Sequence, residues 1–231
     1  QNLIPEYVDE TIYYLGSSYA FIWQNIKNDI FFNGNFSSEN KKFDQYLKRF
    51  SYTFKNENNE LGGYTVLKNK KIILAADIGS SPSKMFSNDY QAGALSFEIF
   101  SNDKKLISNS GYYSDTSNKL NKLSRNTAVH NALTIEDYSS CNFKENQSKL
   151  IVKRGLKVSK KNIVFENNYW KISGTHDGYL IKFGTSYERE IEFYPEQMKF
   201  IGYDKLIRKV PNKKIKFDIR FHLEPDTKLM K

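Results

Sequence analysis

Few residues in this chain can move protons or hold ions. Its 231 residues include three histidines, His130, His176 and His222, and one cysteine, Cys141. His130 opens the run His-Asn-Ala-Leu-Thr-Ile, His176 sits in the turn Gly-Thr-His-Asp-Gly-Tyr, and His222 lies within Ile-Arg-Phe-His-Leu. No pair of histidines has metal-ligand spacing, and neither a Gly-x-Ser-x-Gly elbow nor a Gly-rich phosphate loop occurs. Each histidine therefore reads first as a structural group bonded to backbone or a neighbour. A single cysteine excludes an internal disulfide and a multi-cysteine zinc site, and leaves oxidising and reducing compartments both open. The remaining chemistry falls in two polar stretches, 77–92 with Asp89, Tyr90 and Gln91, and 109–128 with Asn109, Tyr112 and Arg125. A guanidinium binds carboxylate or sulfate bidentately, and a phenol, with an ordinary pKa of about 10, is lowered by nearby cations.

Positioning these groups requires a frame, and the hydrophobic pattern describes one. From Pro5 to about Lys27 the apolar residues Val8, Ile12, Leu15, Tyr19, Ile22 and Ile26 recur every three or four positions, which predicts a helix. A second short helix is predicted over 39–50, with Ser38 as N-cap. Beyond residue 60 the pattern turns to short β-rich runs: 64–68, 71–76, 93–100, 104–108, 129–136, 148–153, 162–166, 169–173, 179–183, 188–194, 197–203 and 215–223. Asn69-Lys70, Asn102-Asp103 and Asn167-Asn168 mark hairpin turns between them. The expected architecture is a mainly β, antiparallel β-sandwich over 56–231, with helices confined to residues 1–55. Stretches 77–92 and 109–128 exceed ordinary loop length and flank the same predicted strand pair, so their polar residues are expected to meet on one rim of a sheet.

Composition narrows the classes. Aromatic residues make up 15% and apolar residues 39%, too many for a disordered chain. No apolar run approaches the roughly 20 residues of a membrane-spanning helix. The formal charge of +9 suits a polyanionic partner, although lysine is spread in short pairs and a solvated basic surface explains it equally. Nucleic acid is disfavoured, because no finger, P-loop or RNA-recognition signature accompanies the charge. The N-terminus, Gln1-Asn2-Leu3-Ile4-Pro5-Glu6, shows neither an initiator Met nor a signal peptide, and is expected to fall within a longer chain.

The segment Asp89-Tyr90-Gln91-Ala92-Gly93-Ala94-Leu95-Ser96-Phe97-Glu98 resembles the His-x-His-Ala-Asp/Gly-x-Leu-Ser-Phe-Glu segment of the heparinase II/III-like polysaccharide lyases. Asn109-Ser110-Gly111, Arg125-Asn126-Thr127-Ala128-Val129-His130-Asn131, Thr175-His176-Asp177-Gly178-Tyr179 and Ile219-Arg220-Phe221-His222 resemble further segments of that family in the same order, and Phe31-Phe32-Asn33-Gly34 resembles its approach to the sandwich. The resemblance implies the supersandwich type of β-sandwich, truncated at its C-terminus, preceded by the tail of an α/α toroid over 1–55. It implies β-elimination at a uronic acid: a base removes the C5 proton, the adjacent carboxylate is neutralised, and the 4-O-linked group departs. The partner is then an acidic polysaccharide, and the setting periplasmic or cell-envelope.

Carried over position by position, the first histidine of the family segment, a catalytic group, falls on Asp89. Tyr90, Arg125 and His130 complete the implied catalytic set, and Arg125 and Tyr112 are the implied substrate-binding residues, with the main catalytic residues expected on the toroid. The family's structural metal site falls on Gln91, Asn109 and His130. Two neutral amide oxygens beside one imidazole are poor zinc donors, so no tightly bound zinc and no other cofactor are expected, and the three residues are expected to tie the loops together by hydrogen bonds. His176, Asp177 and Tyr179 are expected to stabilise a turn. The second reading, from another class, is a non-catalytic glycan-binding or scaffold sandwich, favoured by Asp89, Gln91 and Asn109 standing where the family has His and Asp. A nucleic-acid binder rests on charge alone.

Overall fold

The computed structural model describes residues 60–69, 71–102, 104–113, 119–146, 149–208, 214–225 and 227. The helices expected over 5–27 and 39–50, and the segment Phe31–Gly34, lie outside the described residues.

A five-stranded antiparallel sheet runs in sequence order through β1 (Glu60–Leu61), β2 (Tyr64–Lys68), β3 (Ile72–Asp77), β4 (Phe97–Ser101) and β5 (Lys104–Ile107). The hairpin chemistry is legible in the asparagines. Asn69 Oδ1 accepts the N–H groups of Lys71 and Ile72, both at 2.8 Å, which closes the β2–β3 turn. Asn102 takes the left-handed conformation, φ +46°, between β4 and β5. β3 is buried along its whole length. Leu74 and Ala76 join the main core, while Ile73 and Ala75 pack with Tyr64, Val66 and Phe100 on the other face.

The second sheet has four antiparallel strands, β9 (Val158–Phe165), β10 (Trp170–His176), β11 (Thr185–Tyr194) and β12 (Lys199–Arg208), in the order β12-β11-β10-β9. β11 alternates strictly, so Thr185, Tyr187, Arg189, Ile191 and Phe193 point inward and the intervening glutamates outward. Trp170 fills the centre with Phe165 and Phe193, at ring separations of 5.1 and 4.9 Å. Leu74, Ala76, Phe97 and Ile99 of the first sheet share one core with Trp170, Ile172, Tyr187 and Phe193 of the second. Two small ribbons complete the β-sandwich: β6 (Leu133–Ile135) with β13 (Phe217–Ile219), and β7 (Asn142–Asn146) with β8 (Lys149–Arg154).

Several expected boundaries change. The run 179–183 is apolar enough for a strand but forms a helical turn, α2 (Leu180–Phe183), closed by Gly184 at φ +64°. The strand expected over 93–100 begins at Phe97, because Gly93–Ser96 is a turn with Leu95 at φ +64°. The run 129–136 shortens to β6 after a 3-10 turn over Thr127–Val129, and 215–223 shortens to β13. The stretch 109–128 holds a helix, α1 (Lys119–Ser124), and β7, Asn-Phe-Lys-Glu-Asn, has no apolar alternation to announce it.

The 78–96 connection is laced to β8 and β9 by serines that stand in for missing strand partners. Ser80 Oγ accepts from Val158 N–H at 2.9 Å, Ser81 Oγ from Leu156 N–H at 2.8 Å, and Ser87 Oγ from Val152 N–H at 2.9 Å. Gly155 is required here, since a Cβ would stand 1.9 Å from Ser81 Oγ.

Asp77, at the end of β3, anchors the same connection. Its backbone pairs with Ser96 and Leu95, and its buried carboxylate accepts the Gly79 N–H at 2.9 Å. Burial pushes its pKa up to about 7, against the Gly79 hydrogen bond and the charge of Lys161. A raised acid favours folding in its protonated form, so this contribution is complete below about pH 4 and is lost as pH rises from about 4 to about 7. Asp77→Asn keeps the Gly79 hydrogen bond without the charge. It is expected to stabilise the fold at pH 8 by on the order of a few kcal/mol, seen as a raised thermal midpoint, and to leave the midpoint nearly unchanged at pH 4; a gain that is equal at both pH values would contradict this.

Candidate functional site

The two polar stretches meet on one rim. Gln91 Nε2 donates to the Gly111 carbonyl at 2.9 Å, and the Tyr112 hydroxyl donates to Asp89 Oδ1 at 2.5 Å. Asp89 and Tyr112 are both half-buried, so neither is sealed in the core. α1 backs it. Arg125, just beyond the helix, donates from Nε to Asn121 Oδ1 at 3.1 Å and from Nη1 to the Leu150 carbonyl at 3.2 Å, and its guanidinium carbon lies 5.7 Å from the Tyr112 ring centre. Asn121, buried on the helix, also donates to the Tyr113 carbonyl.

Electrostatics fix the protonation state of the phenol. Burial is the main cause that lifts the Tyr112 pKa to about 12, helped by the hydrogen bond to Asp89 and by its charge, while Arg125 and Asn121 pull it down. Tyr112 is therefore a neutral donor at neutral pH. Burial lowers the Arg125 pKa, against the opposing influence of Tyr112 and Asp89; a guanidinium stays a cation even so. The cluster is thus a carboxylate and a protonated phenol in contact, with a fixed cation beneath the ring.

The other expected site residues are distributed differently. Arg125 is 1% exposed and its guanidinium is spent on protein partners, so it faces Tyr112 and not an open surface. Tyr90 points into the core, its hydroxyl 3.9 Å from Cys141 Sγ and its ring 6.3 Å from Phe143. His130 is buried against Gly93, where a Cβ would meet its ring at 3.2 Å. Burial, with His222 adding to it, lowers its pKa to about 4, so it is a neutral imidazole whose Nε2 makes no hydrogen bond. His176 accepts the Gly178 N–H at 3.2 Å, Asp177 accepts the Lys157 N–H at 2.7 Å, and Tyr179 donates to the Leu133 carbonyl at 2.6 Å. These three residues hold the turn after β10 against the rest of the sandwich.

Asn109 is committed to the protein. Its Oδ1 accepts both the backbone and side-chain N–H of Asn131, at 2.8 and 3.2 Å, and its Nδ2 donates to Ser96 Oγ at 3.3 Å. Gln91 is held by Gly111, which leaves the His130 imidazole as the one strong donor of the three positions. Among the described residues no group of three or more His, Cys, Asp or Glu could hold a metal ion. The structural zinc implied by the resemblance does not fit this donor set. Dialysis against a chelator is expected to leave the thermal midpoint unchanged, and metal analysis to find well under one zinc per chain; a midpoint lowered by the chelator would contradict this.

Three residues that matter here went unsingled in the sequence. Asn121 stands four positions before Arg125, the spacing of neighbours on a helix face, but the helix itself was hidden in a polar stretch. Asn131 joins four segments: beyond Asn109, its Nδ2 donates to the Phe97 carbonyl at 2.9 Å and its Oδ1 accepts the His222 N–H at 2.6 Å, while its carbonyl accepts from Arg189. Arg189 sits on the inward face of β11, where a lone charge needs a partner. It finds Asp204 on β12, with Nε to Oδ1 at 2.7 Å and Nη2 to Oδ2 at 3.1 Å.

The family described as heparinase II/III-like, C-terminal, matches residues 57–231. The fold is similar to that of the heparan sulfate lyase HepC from Pedobacter heparinus, with a TM-score of 0.58 and 16% identity, covering 80% of this chain and 29% of that one. It is also similar to a heparinase III gene product, with a TM-score of 0.50 and 17% identity, covering 72% of this chain and 26% of that one. The chain thus spans less than a third of the length of either structure. Among curated proteins no sequence matches the chain. No helix among the described residues is long and apolar enough to cross a membrane.

Proposed function

The chain belongs to the heparinase II/III-like C-terminal domain family, and from that premise we propose that it supplies the sandwich half of a polysaccharide lyase acting on an acidic, uronate-containing glycan by β-elimination. The observation that carries the reading is the Tyr112–Asp89 hydrogen bond at the rim where the two long connections meet.

β-Elimination needs a base for the C5 proton and an acid for the departing 4-oxygen. The neutral Tyr112 phenol is suited to the second task and the Asp89 carboxylate to the first. Asp89 takes the C5 proton, the C–H electrons form the C4–C5 double bond, the C4–O bond breaks, and the leaving oxygen takes the Tyr112 proton. The two groups are then a carboxylic acid and a phenolate in hydrogen-bond contact, and the proton returns along that bond to reset the pair. The Arg125 cation beneath the ring stabilises the phenolate while it exists. Asn121 and Arg125 act on the phenol from behind, as positioning residues.

The test is product chemistry. Incubation of the intact protein with heparan sulfate, chondroitin, alginate and bacterial exopolysaccharides is expected to produce, on at least one of them, the ultraviolet absorbance of a 4,5-unsaturated uronate. A flat trace on all of them, with glycan binding retained, would move the assignment to the second reading, a non-catalytic glycan-binding sandwich. One observation favours that second reading: Arg125 is committed to Asn121 and Leu150, so it does not neutralise a uronate carboxylate directly.

A further inference from the structure

Most of the net charge is concentrated in one part of the chain. Residues 142–161 hold seven Lys and Arg against Glu145 alone, a net of +6 out of the chain's +9. Their placement makes this a surface. In the β7–β8 hairpin Lys144 pairs opposite Ile151 and Asn146 opposite Lys149, while Phe143 and Val152 pair on the core side. Alternation therefore puts Lys144, Lys149 and Lys153 together on the outer face, and all three are exposed. Lys157 is exposed in the connection to β9. In β9 the register to β10 slips, so that Lys160 and Lys161 stand between the pairs Ser159–Thr175 and Asn162–Ser173. This bulge, with Lys160 at φ +52°, leaves two consecutive lysines exposed, where a regular strand would turn one inward.

Most of these lysines have no carboxylate of the protein beside them. Glu145 is ion-paired to Lys122. Among the described residues Lys144, Lys149, Lys153, Lys157 and Lys160 have no ion-pair partner. An excess of like charge on one segment opposes the compact state, a cost that an anionic ligand offsets.

The ribbon is continuous with the candidate site. Arg125 holds the Leu150 carbonyl of β8, and Ser87, in the connection that carries Asp89, holds the Val152 N–H. Lys149 and Lys153 are separated by about 13 Å at about 3.3 Å per residue, and the bulge lies further along the chain. That spacing matches anionic groups repeated along a polymer better than one isolated carboxylate.

We propose that β7, β8 and the bulged start of β9 form a docking track for a linear polyanionic glycan, which holds the unreacting part of the strand while the Tyr112–Asp89 pair meets the unit to be cleaved. The identity of the polymer rests on the lyase reading above; the track itself rests on charge and register. Asn146, Ser159 and Asn162 stand beside the lysines and are exposed, and they offer hydrogen bonds to sugar hydroxyls. They do not form the aromatic ladder on which single-stranded nucleic acid stacks.

The experiment is equilibrium binding of the chain to heparan sulfate, alginate and single-stranded DNA at low and moderate salt, with K149Q/K153Q/K157Q and Lys199→Gln, an exposed lysine of β12, compared with the parent. The triple variant is expected to bind at least one of the two glycans about tenfold more weakly at low salt, with a shallower salt dependence and a thermal midpoint no lower than the parent's. Lys199→Gln is expected to bind like the parent. Binding of neither glycan by the parent, a triple variant indistinguishable from it, or DNA bound more tightly than both glycans would each overturn the track. Absence of unsaturated product alongside an intact lysine effect would instead remove the lyase reading and leave the track standing.

Discussion

Replacing Tyr112 by phenylalanine is expected to lower turnover of an acidic glycan by the intact protein about 10²- to 10⁴-fold, the usual loss when a positioned proton donor is removed. The substitution deletes only the hydroxyl. The ring remains beside the Arg125 guanidinium, and Asp89, half-exposed, recovers solvent in place of the lost hydrogen bond. The loss should therefore fall on kcat with KM nearly unchanged, the signature of an interaction used in the transition state. Tyr113→Phe, one residue away and exposed, is the control and should change neither constant. Asp89→Asn gives a further readout. The Asp89 charge helps to hold the Tyr112 phenol near its pKa of about 12, so removing that charge lowers the phenol toward its ordinary value. The alkaline limb of whatever activity remains should then move to lower pH. Turnover of Tyr112→Phe within twofold of the parent would remove Tyr112 from the chemistry.

Arg189→Met is expected to cost the fold about 3–5 kcal/mol, the usual penalty for stripping one partner from a buried ion pair. Arg189 is bonded twice to Asp204 and once each to the carbonyls of Leu95 and Asn131. Without it, the Asp204 carboxylate keeps the Tyr187 hydroxyl, at 2.5 Å, and little else to balance its charge. Two buried carbonyls lose a donor as well, at about 1–3 kcal/mol each when nothing replaces it. Urea unfolding should show the midpoint fall with the slope unchanged. The double variant R189M/D204L should recover part of the loss but not all of it, because the charge is removed while the carbonyls of Leu95 and Asn131 remain unpaired. Since those carbonyls belong to the segments behind the candidate site, amide exchange at residues 91–96 and 109–111 should accelerate in Arg189→Met. A loss below about 1 kcal/mol would show that the pair is dispensable.

Local pattern carried much of the fold. Alternation located β2 at the residues observed, and the turn asparagines Asn69, Asn102 and Asn167 located three hairpins; Asn69 bonds the backbone of its own turn and Asn102 accepts positive φ. It failed where an apolar run was read without its surroundings. Residues 179–183 suit a strand by composition, but Tyr179 is drawn down to the Leu133 carbonyl and the chain coils into α2. It failed again for α1 and β7, which are polar on most sides and take their shape from neighbours: Asn121 and Arg125 bind other segments, and β7 is paired by β8.

The amino-acid sequence alone determined the family, the mainly β class, the unsuitability of Gln91 and Asn109 for zinc, and the polar character of the two connections. Those properties depend on residue type, order and spacing along the chain. Only the tertiary structure decided that Tyr112 donates to Asp89, that Tyr90 and Arg125 turn inward, that Arg189 secures the segments behind the rim, and that Lys144, Lys149 and Lys153 share one exposed face of the β7–β8 ribbon. Each of these depends on which distant segments the shared core forces together. A side chain's burial sets both its pKa and its access to a ligand, and burial is fixed by the packing of residues that lie far from it in sequence.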